Sequence, residues 1–494
     1  MSKAGEGDWD EETLAEALAR ASEWAVAYRR GVEDRPVLPS VRPGETREAL
    51  GPHPPRHPAP FEDVLADFER SIVPGLTHWN HPGFLAYFSS CTRGPSVAAE
   101  LLVAAVGVNA MLWRTSPAAT EVELTAVDWL RQAVGLPEDF RGVILDTAST
   151  STFTSLLAAR ERAGEDVREA GLRSGPELAV YASEQAHSSV EKAAIAAGLG
   201  RRAVRRISTD DAFRMRPEAL AAALDRDVEG GARPTFICAT LGTTSTASVD
   251  PVTSIAELAS EYGVWLHVDA AWAGPAAMLP EQRPRFRGWE RADSIVMNPH
   301  KWLGTSLDCS VLLFRDPRPF RASLALTPAY LSSDDEEGTN LMDFGLPLGR
   351  RFRGLKLWTL LRCVGTEGLA RTLRRHIEWA ERAAGALEED GRFELAAPVS
   401  FGTVCFRAKG TPPSEGHDAW NRSTLSRVNR GGRVFLSHTE LEGRQTLRLS
   451  IGSVHTEWRH VAEAVDLLRR ARDEGAPTGA DTSDPRTPRA GRSS

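Results

Sequence analysis

Short apolar runs alternate with amphipathic stretches through the middle of the chain, from about residue 95 onward. The apolar runs have the length of buried strands, and polar or glycine-containing turns bound them. The predicted strands are Val143–Leu145, Leu178–Ala182, Phe236–Thr240, Val264–Asp269, Ser294–Met297 and Ser310–Phe314. The predicted helices between them include Ser188–Gly198, Pro217–Leu224 and Val252–Tyr262. Strands that alternate with helices predict an α/β fold with a mostly parallel central sheet covered on both faces.

A different pattern precedes this region. Asp10–Arg30 carries Leu14 and Leu18 on one face and predicts an amphipathic helix whose apolar stripe is buried against another surface. A proline-rich connector follows, for which we predict no regular secondary structure. Phe61–Val73 predicts a second, short helix.

A smaller unit follows the α/β region. After a helical stretch near Leu355–Trp379, the predicted strands are antiparallel, and a closing helix has an apolar face. These strands are Phe401–Phe406, Arg433–Ser437 and Thr446–Ile451. We therefore predict an N-terminal helical arm over 1–93, a large α/β domain over 94–358, a small C-terminal α+β domain over 359–474 and a disordered tail over 475–494.

Composition and charge narrow the function classes. The 494 residues are 41% hydrophobic and 26% charged, as in ordinary globular proteins. The formal net charge of −8 gives no electrostatic reason to expect nucleic acid or an anionic membrane as a partner. No apolar run approaches the roughly 20 residues that span a bilayer, and the acidic N-terminus does not resemble a signal peptide. Five widely spaced cysteines favour a reducing, cytoplasmic location and indicate no metal site.

Lys301 lies between two predicted buried strands, after Asn298-Pro299-His300 and before Trp302. A lysine removed from water has a lowered pKa, and its neutral amine can form a Schiff base with an aldehyde. The position therefore indicates a lysine that carries pyridoxal 5′-phosphate (PLP), with Asn298 and His300 in the same cofactor site. Taken alone, a loop lysine is more often an exposed surface charge.

Asp269 ends a predicted strand and is followed by small residues, including Ala271. A carboxylate there can pair with the ring nitrogen of PLP and keep the pyridinium protonated, while Ala271 lets the ring approach the backbone. His187 follows the strand Leu178–Ala182, where an imidazole can stack over a flat ring. Each residue also has a structural alternative, because Asp often caps a helix and a histidine at such a junction is often structural.

Two hydroxyl-rich turns are candidates for binding a phosphate. One contains Ala148 and Ser149 before a predicted helix, and the other contains Thr244 after a predicted strand. Helix N-termini bind phosphates through free N–H groups, although Ser/Thr clusters also cap helices routinely. All these candidates fall at or near strand-to-loop transitions of one α/β region, where such sheets bind ligands.

Several longer motifs make the chain resemble the group II PLP-dependent decarboxylases, and most of all the aromatic-L-amino-acid decarboxylase family. The motifs are His78–Pro82, Ala86–Phe88, Ser116–Glu121, Gln185–Glu191, Ala239–Thr244, His267–Ala271, Asn298–Trp302 and Pro347–Arg353. The resemblance covers roughly 61–470. It implies the fold-type I, aminotransferase-like architecture and a homodimer with the active site at the subunit interface. In such a dimer, the N-terminal arm would pack on the partner subunit.

The resemblance also implies a set of catalytic residues, namely Lys301, His187, Asp269 and Tyr330. Tyr330 occupies the position of the family's catalytic tyrosine, in a loop over 326–338, and would donate a proton to Cα. Relatives that make aldehydes often carry Phe at that position or Asn at the histidine position. Tyr330 and His187 therefore favour decarboxylation of an L-amino acid to the amine and CO₂. The alternatives are an aldehyde synthase on the same scaffold and a catalytically silent PLP-binding protein.

Residues that match the family's substrate pocket indicate an aromatic amino acid. They are Trp79, Tyr87, Phe88, Asn109, Met111 and Gly349. The aromatic residues would provide flat apolar walls, and Gly349 would leave room for an indole, which favours tryptophan or another bulky aromatic substrate. Asn109 and Met111 replace the bulkier apolar residues usual in the family, and Ser89-Ser90 replaces its Pro-Thr. The sequence leaves the physiological substrate open.

Overall fold

The computed structural model describes residues 8–164, 167–172, 175–326, 338–409 and 416–473. The helices are α1 (Glu11–Gly31), α2 (Glu45–Leu50), α3 (Phe61–Asp67), α4 (Gly94–Val106), α5 (Pro117–Ala133), α6 (Ala148–Arg162), α7 (Val167–Ala170), α8 (Ser189–Ala196), α9 (Pro217–Glu229), α10 (Val252–Glu261), α11 (Arg318–Leu324), α12 (Gly354–Glu389), α13 (His417–Arg430) and α14 (Trp458–Asp473). The strands are β1 (Arg141–Leu145), β2 (Leu178–Ser183), β3 (Val204–Ile207), β4 (Arg233–Thr240), β5 (Trp265–Asp269), β6 (Ser294–Met297), β7 (Ser310–Phe314), β8 (Phe393–Leu395), β9 (Thr403–Ala408), β10 (Ser437–Leu441) and β11 (Arg444–Ser450).

The large sheet has seven strands in the order β1-β7-β6-β5-β4-β2-β3. Its neighbours from β6 to β3 are parallel, and β7 runs antiparallel to both β1 and β6. Both faces are buried, since Ile144 of β1 joins one hydrophobic core while Val143 and Leu145 join another. The predicted α/β class with a mostly parallel sheet is confirmed.

The strands around the site were the most predictable part of the fold. β6 and β7 have the predicted bounds, because each is a short, fully buried apolar run between turns. β3 was missed, because Arg205 and Arg206 interrupt its apolar pattern at the edge of the sheet.

The small sheet has four antiparallel strands in the order β10-β11-β9-β8. The predicted strand Arg433–Ser437 is wrong, because the strand begins at Ser437 and continues through polar residues to Leu441 at the edge of the sheet. The segment before it instead meets the N-terminal region, where Phe84 and Phe435 form an isolated bridge. The sequence also gave no indication of β8 or α13.

The N-terminal helix forms close to its predicted bounds, and the burial of its apolar stripe stays a prediction. Asp10 caps α1 by accepting a hydrogen bond from Thr13 N, and Leu14 and Leu18 remain 46% and 41% exposed. The predicted absence of regular structure in the connector is wrong, because α2 forms there. Among the described residues, no helix combines the length and apolar character that a membrane crossing requires.

A long helical element, α12, spans the predicted boundary between the large and small domains at 358/359. Gly365 interrupts its helical backbone with a φ of 67°, a left-handed conformation that glycine adopts without a steric penalty. Helix α12 contacts α4 and α5 as well as β8 and β9. It therefore connects the two sheets, and the domain division itself stays a prediction.

Candidate active site

Five strands of the large sheet have their carboxyl ends on the same side, because β1 and β6 are both antiparallel to β7. These strands are β1, β2, β4, β5 and β6. We call this side the open edge of the sheet, as distinct from its edge strands. The segments that follow these strands contain the predicted cofactor residues. They are Ala148, Ser149, His187, Thr244, Ala271, Asn298, His300 and Lys301, and Asp269 ends β5 itself. The fold thus gathers residues that lie more than 150 positions apart in the sequence.

The loops that carry Asp269 and Lys301 are tied together by their backbones. Asp269 pairs with Val296 in the β5–β6 register, and Ala270 N donates to Val296 O at 3.0 Å. Beyond the strands, Asn298 N donates to Ala271 O at 3.1 Å. The parallel ladder therefore continues into both loops.

Lys301 has the electrostatic surroundings expected of a nucleophilic amine. Burial lowers its pKa, while the carboxylate of Asp269 raises it and the guanidinium of Arg448 lowers it further. The amine Nζ lies 5.4 Å from the ring centroid of Phe88. A lowered pKa increases the fraction of neutral amine available for Schiff-base chemistry.

Asp269 is 7% exposed, and its side chain is held by the following loop. Its Oδ1 accepts a hydrogen bond from Ala271 N at 3.0 Å, which fixes the orientation of the carboxylate. The hydrogen bond resembles the structural alternative considered for this residue, an Asp that caps the following backbone. The same carboxylate nevertheless acts on the pKa values of both Lys301 and His187, so it lies in the site.

His187 lies just before α8 with its ring accessible. Its Nδ1 accepts a hydrogen bond from Ser189 N at 3.2 Å, which leaves the proton of the neutral ring on Nε2. Partial removal from water lowers the pKa of His187, against the opposing effect of Asp269. A neutral imidazole suits a ring that stacks on a cofactor.

Asn298 and His300 brace the loop that carries Lys301. Asn298 Oδ1 accepts from Ser310 Oγ at 2.7 Å, and His300 Nδ1 accepts from Cys309 N at 2.9 Å. Burial lowers the pKa of His300 to about 4, so its ring stays neutral. These contacts give both residues a structural role in the loop that carries Lys301. Their direct contact with a cofactor stays a prediction.

The two candidate phosphate turns lie at the open edge of the large sheet. Thr147 caps α6 by accepting from Thr150 N at 3.4 Å, and Ser149 is exposed in the first helical turn. Thr244 is exposed in the turn after β4, where Gly242 has a φ of 94° and no space for a side chain beside Ala273. Both turns present hydroxyl groups at the open edge.

The predicted aromatic pocket residues form two neighbouring groups. Phe88 is buried beside Lys301 and stacks on Trp272, with ring centroids 4.2 Å apart. Trp79 and Tyr87 are 38% and 54% exposed and stack on each other at 6.2 Å. The ring of Phe88 is therefore the predicted pocket residue that lies beside the lysine, and Trp79 and Tyr87 form a second, more exposed aromatic group.

The remaining predicted pocket residues form a separate group with its own contacts. Asn109 Oδ1 accepts from Arg350 N at 2.9 Å, its Nδ2 contacts Met111 Sδ at 3.5 Å, and a Cβ on Gly349 would lie 3.7 Å from that Nδ2. Asn109 is exposed, and the apolar face of α4 lies just before it. Tyr330 lies outside the described residues.

Sequence reasoning missed Arg448, which is 3% exposed in β11. Its guanidinium carbon lies 4.6 Å from the Phe88 ring centroid, and it donates to Ser245 O at 2.9 Å and Tyr87 O at 2.6 Å. In the described part of the chain its Nη2 has no hydrogen-bond partner. An arginine at an inward position of an apolar strand was the signal that could have identified it.

These residues fit PLP. The site offers an amine with a lowered pKa, a carboxylate on the adjacent strand, hydroxyl-bearing turns and a buried cation, one N–H group of which has no partner among the described residues. The amine suits the aldehyde of PLP, and the carboxylate suits its ring nitrogen. The turns suit its phosphate, and the cation suits an anionic substrate.

Comparisons with known proteins agree with this chemistry. A family model described as "Pyridoxal-dependent decarboxylase conserved domain" matches residues 43–409. Tryptophan decarboxylase 1 of Oryza sativa subsp. japonica is 38% identical over 496 residues, which cover 95% of this chain and 96% of the relative. Phenylacetaldehyde synthase of Arabidopsis thaliana is also 38% identical, over 472 residues that cover 93% and 96%. A crystal structure of Oryza sativa TDC with PLP and tryptamine matches with a TM-score of 0.92 at 37% identity, covering 95% of this chain and 99% of that chain.

The chain therefore belongs to the pyridoxal-dependent decarboxylase family. This result confirms the predicted family resemblance, the PLP cofactor and the class of PLP-dependent carboxy-lyase. The structural match also confirms the fold-type I architecture.

Proposed function

We propose that this enzyme decarboxylates an aromatic L-amino acid, with tryptophan or another bulky aromatic residue favoured, and releases the amine and CO₂. The observation that carries the proposal is the placement of Lys301. Its amine lies beside an aromatic ring, Phe88, under the electrostatic influence of both Asp269 and Arg448. Relatives that act on aromatic amino acids match over nearly the whole chain.

Lys301 would hold the cofactor covalently and be displaced by the substrate's amino group. Bound PLP supplies an electron sink for the pair of electrons left when CO₂ departs. Asp269 would hold a proton on the ring nitrogen, and its negative charge favours that protonated state. His187 would cover the ring face, since it lies at the open edge with its Nε2 protonated.

The anionic groups would be bound at two places. Ala148, Ser149 and Thr244 would bind the phosphate through backbone N–H groups and hydroxyls at the edge of the sheet. Arg448 would pair with the substrate carboxylate, because its unpaired Nη2 is buried beside Phe88 and close enough to Lys301 to affect its pKa. Trp79, Tyr87 and Phe88 would surround the aromatic side chain.

A homodimer would complete the site. Leu14 and Leu18 of α1 and Leu101, Leu102 and Val106 of α4 are 41% to 56% exposed, more apolar surface than an isolated chain usually leaves in contact with water. The arm over 1–93 would cover the partner subunit, and Asn109, Met111 and Gly349 would face the partner's substrate pocket. Five free cysteines, four of them buried, support a cytoplasmic location.

The second candidate is an aldehyde synthase, because one similar relative has that activity by name. We favour simple decarboxylation on the identities of two residues, His187 and Tyr330. With Tyr330, the protonation of Cα would compete with oxidation. A silent PLP-binding protein is less favoured, because the lysine, acid and histidine are all retained.

A screen of L-amino acids tests the proposal. Purified, PLP-loaded protein should release CO₂ from tryptophan, tyrosine or phenylalanine faster than from glutamate, aspartate or lysine. Products should be scored as amine against aldehyde, ammonia and peroxide. Abundant peroxide would favour the aldehyde synthase, and the absence of CO₂ release from every amino acid by protein with bound PLP would leave the silent alternative.

A further inference from the structure

A continuous stack of aromatic rings runs from Lys301 to helix α12. Phe88, whose ring centroid lies 5.4 Å from Lys301 Nζ, stacks on Trp272 at 4.2 Å with the planes 13° apart. Trp272 stacks on Trp302 at 4.5 Å and 12°. The ring of His376 in α12 lies within 13° of the plane of Trp302, at 6.5 Å. We call these four rings the aromatic stack.

The aromatic stack links the two loops whose relative position matters for the chemistry. Trp302 directly follows Lys301, and Trp272 lies three residues after Asp269. Both indoles are at most 1% exposed. Because stacked rings in a close-packed core have little freedom to move, a displacement of one loop against the other would disrupt their contact.

His376 holds the end of the stack through a hydrogen bond to Trp302 and one to the backbone of Ser453. Trp302 Nε1–H donates to His376 Nδ1 at 2.9 Å, and the imidazole also bonds to the backbone of Ser453, beyond β11. Burial, with the nearby Arg93 and Arg375, lowers the pKa of His376 to about 3. The ring is therefore neutral under working conditions, and Nδ1 remains available as an acceptor.

We propose that His376 is a positioning residue that fixes Lys301 relative to Asp269 by anchoring the indole of Trp302. An indole N–H can only donate, so removing its acceptor leaves a buried donor unpaired. The indole would then rotate or shift toward another acceptor, and Lys301 is covalently joined to it through one peptide bond. This proposal rests on the role of Lys301 in the proposed function.

Two substitutions of His376 separate its hydrogen bond from its volume. His376→Leu removes the acceptor, and His376→Asn places an amide oxygen near the position of Nδ1. We expect His376→Leu to shift the apparent pKa of the absorption band of the bound cofactor by about half a unit or more and to lower kcat about tenfold, with KM within about twofold, because small displacements at a reacting centre are costly. His376→Asn should recover most of both properties.

Trp302→Phe provides an independent test, because it keeps the stacked ring and removes the donor. It should reproduce the band shift, and His376→Leu should then add little further loss in the Trp302→Phe background. Tyr181→Phe is the control for general destabilisation, since it removes the partly buried hydrogen bond of 2.6 Å from Tyr181 on β2 to Asp227 on α9. It should lower stability and leave the band unchanged.

Three results would overturn the proposal. The first is a folded His376→Leu protein with the wild-type band and kcat. The second is a loss of kcat from His376→Leu that is as large in the Trp302→Phe background as in the wild-type protein. If His376→Leu does not fold, a Trp302→Phe protein with an unchanged band is the third. A wild-type protein that binds no cofactor at Lys301 would instead refute the proposed function.

Discussion

Asp269 and Lys301 are held by adjacent parallel strands, and a backbone hydrogen bond of 3.1 Å between Asn298 and Ala271 ties the loops beyond those strands. Neighbouring strands lie about 4.8 Å apart, so the sheet itself sets the spacing between the acid and the amine. The precision of the site therefore comes from β5 and β6, which are fully buried. The activity of such a site should therefore depend on the charge and geometry at Asp269, His376 and Arg448.

Asp269→Asn tests the electrostatic role of the acid. Asparagine keeps an oxygen that can accept from Ala271 N, so the loop should remain in place while the charge is lost. We expect kcat to fall by about 10²–10³, in the range seen when a single preorganised electrostatic contact is removed. Steady-state kinetics with saturating PLP measures this, and circular dichroism verifies the fold. A variant with near wild-type kcat would contradict the assigned role.

Arg448→Met tests the carboxylate site. The amine product lacks the carboxylate, so its inhibition constant should change little. In contrast, kcat/KM for the amino acid should fall about 10- to 150-fold, because hydrogen bonds to a charged group contribute about 1.5–3 kcal/mol. Arg448→Lys keeps the charge without the planar fork and should fall between the two proteins. Equal weakening of substrate and amine binding would show that Arg448 only supports the pocket wall.

Lys356→Met tests a buried charge that supports the loop after Lys301. Lys356 is fully buried, donates to Asp308 O at 2.6 Å and pairs with Glu100 at 3.0 Å. Methionine would leave the Asp308 carbonyl without this donor and Glu100 with Arg351 as its remaining cation. We expect the free energy of unfolding to fall by about 2 kcal/mol. Urea unfolding at fixed protein concentration measures the change. Lys192 is exposed, so Lys192→Met is the matched control and should leave the free energy of unfolding nearly unchanged. Equal stability of the two variants would contradict the prediction.

Stability should decrease as the pH falls below about 6.5. Burial lowers the pKa values of His267, His300 and His455 to about 4 and of His376 to about 3, so between pH 6.5 and 4 these rings bind protons mainly in the unfolded chain. Each contributes a slope of up to about 1.4 kcal/mol per pH unit. Asp250 opposes them, because burial raises its pKa to about 6 and its proton is bound mainly in the folded state.

Urea unfolding at pH 7 and pH 5 tests this balance of four histidines against one carboxyl group. We expect lower stability at pH 5 and a smaller difference in His376→Asn. Equal or greater stability at pH 5 would mean that the histidines are not buried as described.

The sequence predicted the parts of the fold that are buried on both sides. β6 and β7 were predicted to the residue because an uninterrupted apolar run leaves little choice of conformation or bounds. Edge strands were harder to predict, because β3 has two arginines and β10 is polar from Ser437 to Glu440, so neither has the signal of a core strand. Their positions depend on partners far away in the sequence.

The residues of the candidate site also differ in whether the sequence alone could identify them. Lys301, Asp269 and His187 follow strands and could be found from local patterns and motifs. Arg448 and His376 could not, since each acquires its role only through contacts made across the fold, with Phe88 and Trp302 respectively. Tyr330 was predicted from a motif and stays a prediction.

The most direct test of the central claim is the product stoichiometry of the PLP-loaded enzyme with carboxyl-labelled L-tryptophan, or with the best aromatic substrate of the screen, in parallel with Lys301→Ala. We expect one amine for each CO₂ released, negligible ammonia and peroxide, and a rate reduced by about a thousandfold or more without Lys301. Release of CO₂ with stoichiometric aldehyde and peroxide, or undiminished turnover by Lys301→Ala, would contradict it.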